Sequence, residues 1–219
     1  MKFRLYIILA ISHLVISYCT DFEMAHMVTK MLLMPVLAYY LYQKTDFRFP
    51  ILIVALGFAC LGDTFLLFVQ KGEQFFLLGL ASFFVMQLLY AIAFWRYGGV
   101  LQFNAQSIII GVISLFFLFD LLSVLIPNLP APLLIPVICY ASMIALMCVS
   151  TSAQQTHLAQ NWNYLWIGAA FFMFSDACIA LTKFLPNLEQ KNSIDIFVMP
   201  TYILAQALIV WSFSEAVEK

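Results

Sequence analysis

The chain has 219 residues, 64% of them apolar or aromatic and 10% charged, against roughly half and a quarter in a soluble domain. So few charges cannot cover the outside of a soluble fold, and a mean hydropathy of +0.99 sets most side chains against lipid or against other helices. Lys and Arg total 10 and Asp and Glu total 11, for a net charge of -1, which excludes the basic surplus that nucleic-acid binding requires.

Crossing about 30 Å of hydrocarbon takes about 20 apolar residues in a helix. Runs of that kind, separated by charge, Pro, Asn or Gly, predict eight spans at about 4–20, 27–43, 50–70, 74–95, 104–126, 132–150, 162–184 and 196–214. The predicted fold class is all-α, a polytopic membrane helix bundle forming a single transmembrane domain over 1–219. Residues 1–20 begin with Lys2 and Arg4 and resemble a signal peptide as much as a first span. No small-x-small cleavage site follows, and Tyr18 before Cys19 spoils a lipoprotein processing site, so the segment is read as a retained helix. The predicted breaks are Thr20 to His26, Lys44 to Arg48, Lys71-Gly72-Glu73, Arg96 to Gly99, Pro127 to Pro132, Thr151 to Asn163 and Pro186 to Asp195. With the amino terminus inside, inner segments carry Lys2, Arg4, Lys44, Arg48, Arg96 and Lys219, and outer loops only Lys71 and Lys191. The excess predicts a multi-pass protein with both termini cytoplasmic, in the cell membrane if the source is bacterial.

A weak internal repeat runs through the chain. Leu61-Gly62-Asp63 in span three is echoed by Phe174-Ser175-Asp176 in span seven. The following spans carry Gln87 with Tyr90, and Tyr202 with Gln206, each pair on one helix face. The pattern suits two parallel four-helix halves, 1–98 and 99–219, or drift alone.

Ionisable groups within spans are costly and therefore candidates for function: Lys30, Asp63, Asp120, Asp176 and Lys183. At about 1.5 Å per residue, Asp63 and Asp176 both come out about 20 Å from the inner face, a depth at which they would share one cavity. They read either as neutral acids tying helices together or as catalytic groups. Desolvation and mutual repulsion push the pKa values of two such acids apart, leaving one acid and one base at neutral pH, which suits hydrolysis through an oxocarbenium-like state. Asp120 lies nearer the outer face without a polar helper and reads as a capping or interfacial carboxylate. Lys30 and Lys183 either snorkel to headgroups or hold a substrate phosphate. Gln87, Tyr140, Tyr202 and Gln206 either bind a polar substrate group or tie helices. Glu23-x-x-His26 lacks the second motif and the further glutamates of a di-iron bundle, and His13 and His157 have no partner at ligand spacing, so no metal is expected. Cys19, Cys60, Cys139, Cys148 and Cys178 form no CxxC pair and read as packing residues, as do the phenylalanines and methionines.

These segments resemble the YhhN-type membrane proteins, a family that includes the lysoplasmalogenases. The matching residues are Thr29-Lys30, Leu61-Gly62-Asp63 with Leu66-Leu67, Gly79-Leu80-Ala81-Ser82-Phe83 leading to Gln87-Leu88-Leu89-Tyr90, Tyr140, Gly168-Ala169 to Phe174-Ser175-Asp176 with Leu181, and Thr201-Tyr202 to Ala205-Gln206. They cover spans two to four and six to eight, while spans one and five match nothing in the pattern. The family usually has histidine where this chain has Gln87, a departure that leaves hydrogen bonding and not proton shuttling to that position. The resemblance implies cleavage of the vinyl ether of a lysoplasmalogen to a fatty aldehyde and glycerophosphoethanolamine or glycerophosphocholine. It implies a lysophospholipid substrate taken from the bilayer and no metal or organic cofactor.

Two other classes compete. A small proton-coupled transporter would use the same aspartates and repeats, but the span interiors lack helices broken by Gly or Pro, since Pro35, Pro136 and Pro200 are expected near span ends. An intramembrane aspartyl protease resembles a Tyr-Asp plus Gly-x-Gly-Asp pattern. Cys60-Leu61-Gly62-Asp63 lacks the first glycine of that pattern, and Phe174-Ser175-Asp176 lacks the tyrosine.

Overall fold

The computed structural model describes residues 2–20, 22–158, 161–185 and 191–217. Lys219 and parts of three predicted breaks, at 21, 159–160 and 186–190, lie outside the described residues. The described chain is helical and contains no strand: α1 (Lys2–Cys19), α2 (Glu23–Thr45), α3 (Pro50–Leu67), α4 (Glu73–Gly98), α5 (Ala105–Leu125), α6 (Leu134–Ser150), the single turn α7 (Gln155–Leu158), α8 (Trp162–Phe184) and α9 (Lys191–Ser214). Helices α2 to α6, α8 and α9 supply seven segments long and apolar enough to cross a bilayer, and α1 supplies a shorter apolar helix. Helix is the form a lipid-embedded segment takes because it satisfies its own backbone polar groups. The protein is a multi-pass integral membrane protein.

The predicted spans fall on the eight long helices, with differences at the ends. The third stops at Leu67 and a 3-10 turn, Val69–Lys71, takes up its remainder. Helix α2 begins at Glu23, four residues before the predicted start, and α9 at Lys191, five before. One expectation is corrected: Pro35 and Pro200 fall inside helices, and only Pro136 sits in a first turn. Both helices continue through their prolines without a break, so neither provides the unwound segment of a transport site.

The residues from 151 to 163, predicted as a polar break, are partly helical and buried at Thr151, Ser152, Ala153 and Gln154. Polar side chains enter the interior here with part of their bonding met, although Gln154 Oε1 has no hydrogen-bond partner among the described residues. The Gln154 side-chain amide donates to the Phe94 carbonyl at 2.8 Å, and the Trp162 indole donates to the Thr151 carbonyl at 2.8 Å. Gly98 closes α4 directly over the Ala153 carbonyl, where a side chain would have no room.

Residues up to Ala93 form one compact unit, and Phe94 to Ala216 a second. In the first, α2 packs on α1 and α3. Helix α4 lies close over α3: a β-carbon on Gly62 would sit 2.8 Å from the Phe83 ring, and one on Gly79 2.8 Å from Leu66. In the second, α8 and α9 form the principal pair, with α6 against both α5 and α8. A β-carbon on Gly168 would meet the Ala205 carbonyl oxygen and Ile209 Cγ1 at 3.0 Å, so this glycine sets the approach of α9 to α8. Helix α5 is the outlier, with 11% of its span buried and Ile109, Val112, Ile113, Phe116 and Phe119 exposed, as expected of a helix whose neighbour is lipid.

Candidate functional site

Asp63 and Asp176 are both buried, at 2% and 8% exposure. An acid in an apolar interior needs polar company, and each has a tyrosine. On α6, Tyr140 donates its hydroxyl to Oδ2 of Asp176 on α8. In the first unit, the buried phenol of Tyr6 on α1 lies within electrostatic reach of Asp63 on α3 and of Tyr90 on α4. Tyr140, chosen from sequence as a binder of substrate or a helix tie, is thus the direct partner of a carboxyl. Tyr6 was missed, because the first span offers no repeat or motif and a tyrosine near the start of an apolar helix is ordinary.

The residue preceding each aspartate meets the next long helix of its own unit. Gly62 receives the Phe83 ring of α4, and Ser175 donates to the Val198 carbonyl of α9 at 2.9 Å. A small residue there lets the helices close, and that closure fixes the rotation of the aspartate-bearing helix about its axis. Gln87, Tyr90, Tyr202 and Gln206 are all buried, with the Tyr202 ring 5.9 Å from that of Phe172. The glutamines and tyrosines following each aspartate therefore belong to helix interiors and not to the lipid face.

The two lysines part company. Lys183 is exposed on α8. Lys30 is half-buried and lines a cavity of about 730 Å³ in the first unit, together with Ser17, Thr20, Phe22, Glu23, His26 and Gln70 among its polar and aromatic walls. The floor includes Leu66 and Leu67; Asp63 lies one turn before Leu67 on α3 and does not line it. Asp120 is exposed on α5, and the Ser123 hydroxyl donates to its backbone carbonyl at 2.7 Å.

His13, read from sequence as lacking a partner at metal-ligand spacing, stacks on His26 with ring centroids 5.0 Å apart. Its Nδ1 lies 2.9 Å from Thr29 Oγ1, whose own hydrogen goes to the Ala25 carbonyl at 2.7 Å. The threonine therefore accepts, and His13 carries its proton on Nδ1. This pairing joins residues on α1 and α2 and leaves no trace in local spacing. No group of three metal-ligating side chains occurs among the described residues.

The YhhN family model matches residues 25–213. Among curated proteins, the lysoplasmalogenase TMEM86A of Bos taurus is 29% identical over 171 residues, which cover 76% of this chain and 66% of that protein. The human lysoplasmalogenase TMEM86A is 28% identical with the same coverage. The chain thus spans just under two thirds of the length of these relatives. No solved structure matches. With the match running from α2 to the end of α9 and taking in both aspartates, the chain belongs to the YhhN family.

Proposed function

We propose that the protein is an intramembrane hydrolase of lysoplasmalogens, with Asp63 and Asp176 as the acid and base. The observation that carries this reading is the burial of two carboxyls, each set beside a phenol, in helices otherwise filled with apolar side chains. The lysoplasmalogenase activity for which the mammalian relatives are named supports it.

The chemistry asks for two groups of this kind. Protonation of the vinyl ether at the carbon remote from oxygen gives an oxocarbenium ion. Water, losing a proton to the second carboxylate, adds to give a hemiacetal, which breaks to a fatty aldehyde and the free glycerol hydroxyl. The sum consumes one water and returns both carboxyls to their starting states. One carboxyl delivers the proton, and the other, as a carboxylate, faces the developing cation, an attraction that apolar surroundings strengthen. Lys30 holds the phosphate, and the buried Gln87, Tyr202 and Gln206 orient the substrate. Lys183, exposed on α8, is suited to phosphate only at the membrane surface. The distribution of Lys and Arg supports cytoplasmic termini.

The test is incubation of purified protein in detergent with an alkenyl lysophospholipid. Aldehyde and glycerophosphoethanolamine or glycerophosphocholine are expected, with Asp63→Asn and Asp176→Asn each reducing turnover more than about 10²-fold while folding normally. Absence of aldehyde, with proton uptake into liposomes instead, would replace the hydrolase with a carrier.

A further inference from the structure

The cavity containing Lys30 has an ordered charge pattern. Glu23, His26, Met27 and Lys30 follow one another at i, i+3, i+4 and i+7 on α2, and all four line it. Lys30 lies close enough to His26 and His13 for its charge to act on both imidazoles, so the deeper part of this face is cationic or neutral. Glu23, at the first position of α2, stands about 10 Å along the axis from Lys30. Among the described residues, neither Lys30 nor Glu23 has an ion-pair partner. Phe22, 69% exposed, adds an aromatic ring beside the carboxylate, and Leu66, Leu67, Val69 and Ile16 supply apolar wall.

A cation and an anion in one amphiphilic cavity, neither with an ion-pair partner among the described residues, fit a ligand of the opposite polarity at each end. The geometry points to a subsite for a zwitterionic glycerophospholipid head, phosphoethanolamine or phosphocholine, with the phosphate on Lys30 and His26 and the ammonium on Glu23 beside Phe22. This rests on the lysolipid reading above and adds to it the group that selects the head: Glu23 rejects a bare phosphate head and accepts one bearing an ammonium. His26, backed by the His13 ring, is held in place to donate to phosphate. Phe22 gives a quaternary or primary ammonium a π face, and Gln70, Ser17 and Thr20 are near enough in the same cavity to take a glycerol hydroxyl.

The experiment measures binding of non-cleavable 1-O-alkyl lysophospholipids to the full chain in an uncharged sugar detergent, using three heads: phosphoethanolamine, phosphocholine and phosphate alone. Wild type should favour both zwitterions. Glu23→Gln should weaken both by about tenfold, the loss of one charge-assisted contact, and leave the phosphate head unchanged. Lys30→Met should weaken all three, and Glu23→Asp, which keeps the charge, should retain the preference and guards against a folding defect. An equal loss on all three heads in Glu23→Gln, or no loss on any, would overturn the assignment. Free phosphoethanolamine binding as tightly as the lipid would also overturn it, by marking a soluble ligand. Because these analogues are not cleaved, failure of the hydrolase reading shows separately: no aldehyde from the alkenyl substrate, with the head preference intact, would sink the reaction and leave the subsite standing.

Discussion

Tyr140 and Asp176 lie 36 positions apart in sequence, on α6 and α8, and are joined by a hydrogen bond from the phenol to Oδ2. A donor fixed on one oxygen holds the carboxyl plane. Tyr140→Phe removes the donor and keeps the ring. Aldehyde release should fall by about tenfold, the worth of one hydrogen bond to a charged group, while thermal stability stays near wild type. An unchanged kcat would make the bond a helix tie only.

Asp63→Asn and Asp176→Asn should not add. If both carboxyls serve one reaction, losing the second after the first removes little more, as with residues that act as a unit. The double variant should retain about the turnover of the worse single variant, measured as aldehyde release. Multiplicative losses would mean that the two aspartates serve separate steps.

Lys30→Met should raise KM more than it lowers kcat, because a phosphate contact is made equally in ground and transition states. A loss confined to kcat, in steady-state kinetics with the alkenyl substrate, would instead place the lysine's charge at the reacting bond.

Gly168→Val should lower the melting temperature measurably, as its side chain would press on the Ala205 carbonyl and on the backbone nitrogen of Ile209 at 3.1 Å. An overpacked helix contact of this kind costs about 1–3 kcal/mol. Gly111→Ala, on α5, is the control: nothing lies within 4 Å of its added carbon, and alanine is the better helix former. Its melting temperature should hold or rise slightly.

The helices were legible because a bilayer leaves a chain so few options: apolar runs of sufficient length must be helical, and only their ends depend on local detail. Asp63 and Asp176 stood out for the same reason, as rare charges in apolar sequence. The partners of such groups were harder to find. Tyr6 reaches Asp63, and His13 reaches Thr29 and His26, across helix interfaces, where sequence separation carries no signal. Residues 151–154 misled by composition: Thr-Ser-Ala-Gln reads as a solvated loop, and only the bonds to Phe94 and from Trp162 make its burial tolerable.

That buried connection bears on how the sidedness of the protein can be mapped. Reporter fusions and protease sites report topology only where the backbone can yield without loss. Between α6 and α8 the chain is wedged under Gly98 and stitched to two helices. An insertion at 151–154 would unseat the end of α4 together with the start of α8, and a silent reporter there would signal a broken protein instead of a hidden face. The exposed stretch at Gly99, Val100 and Phe103 gives a tag somewhere to sit without disturbing the packing.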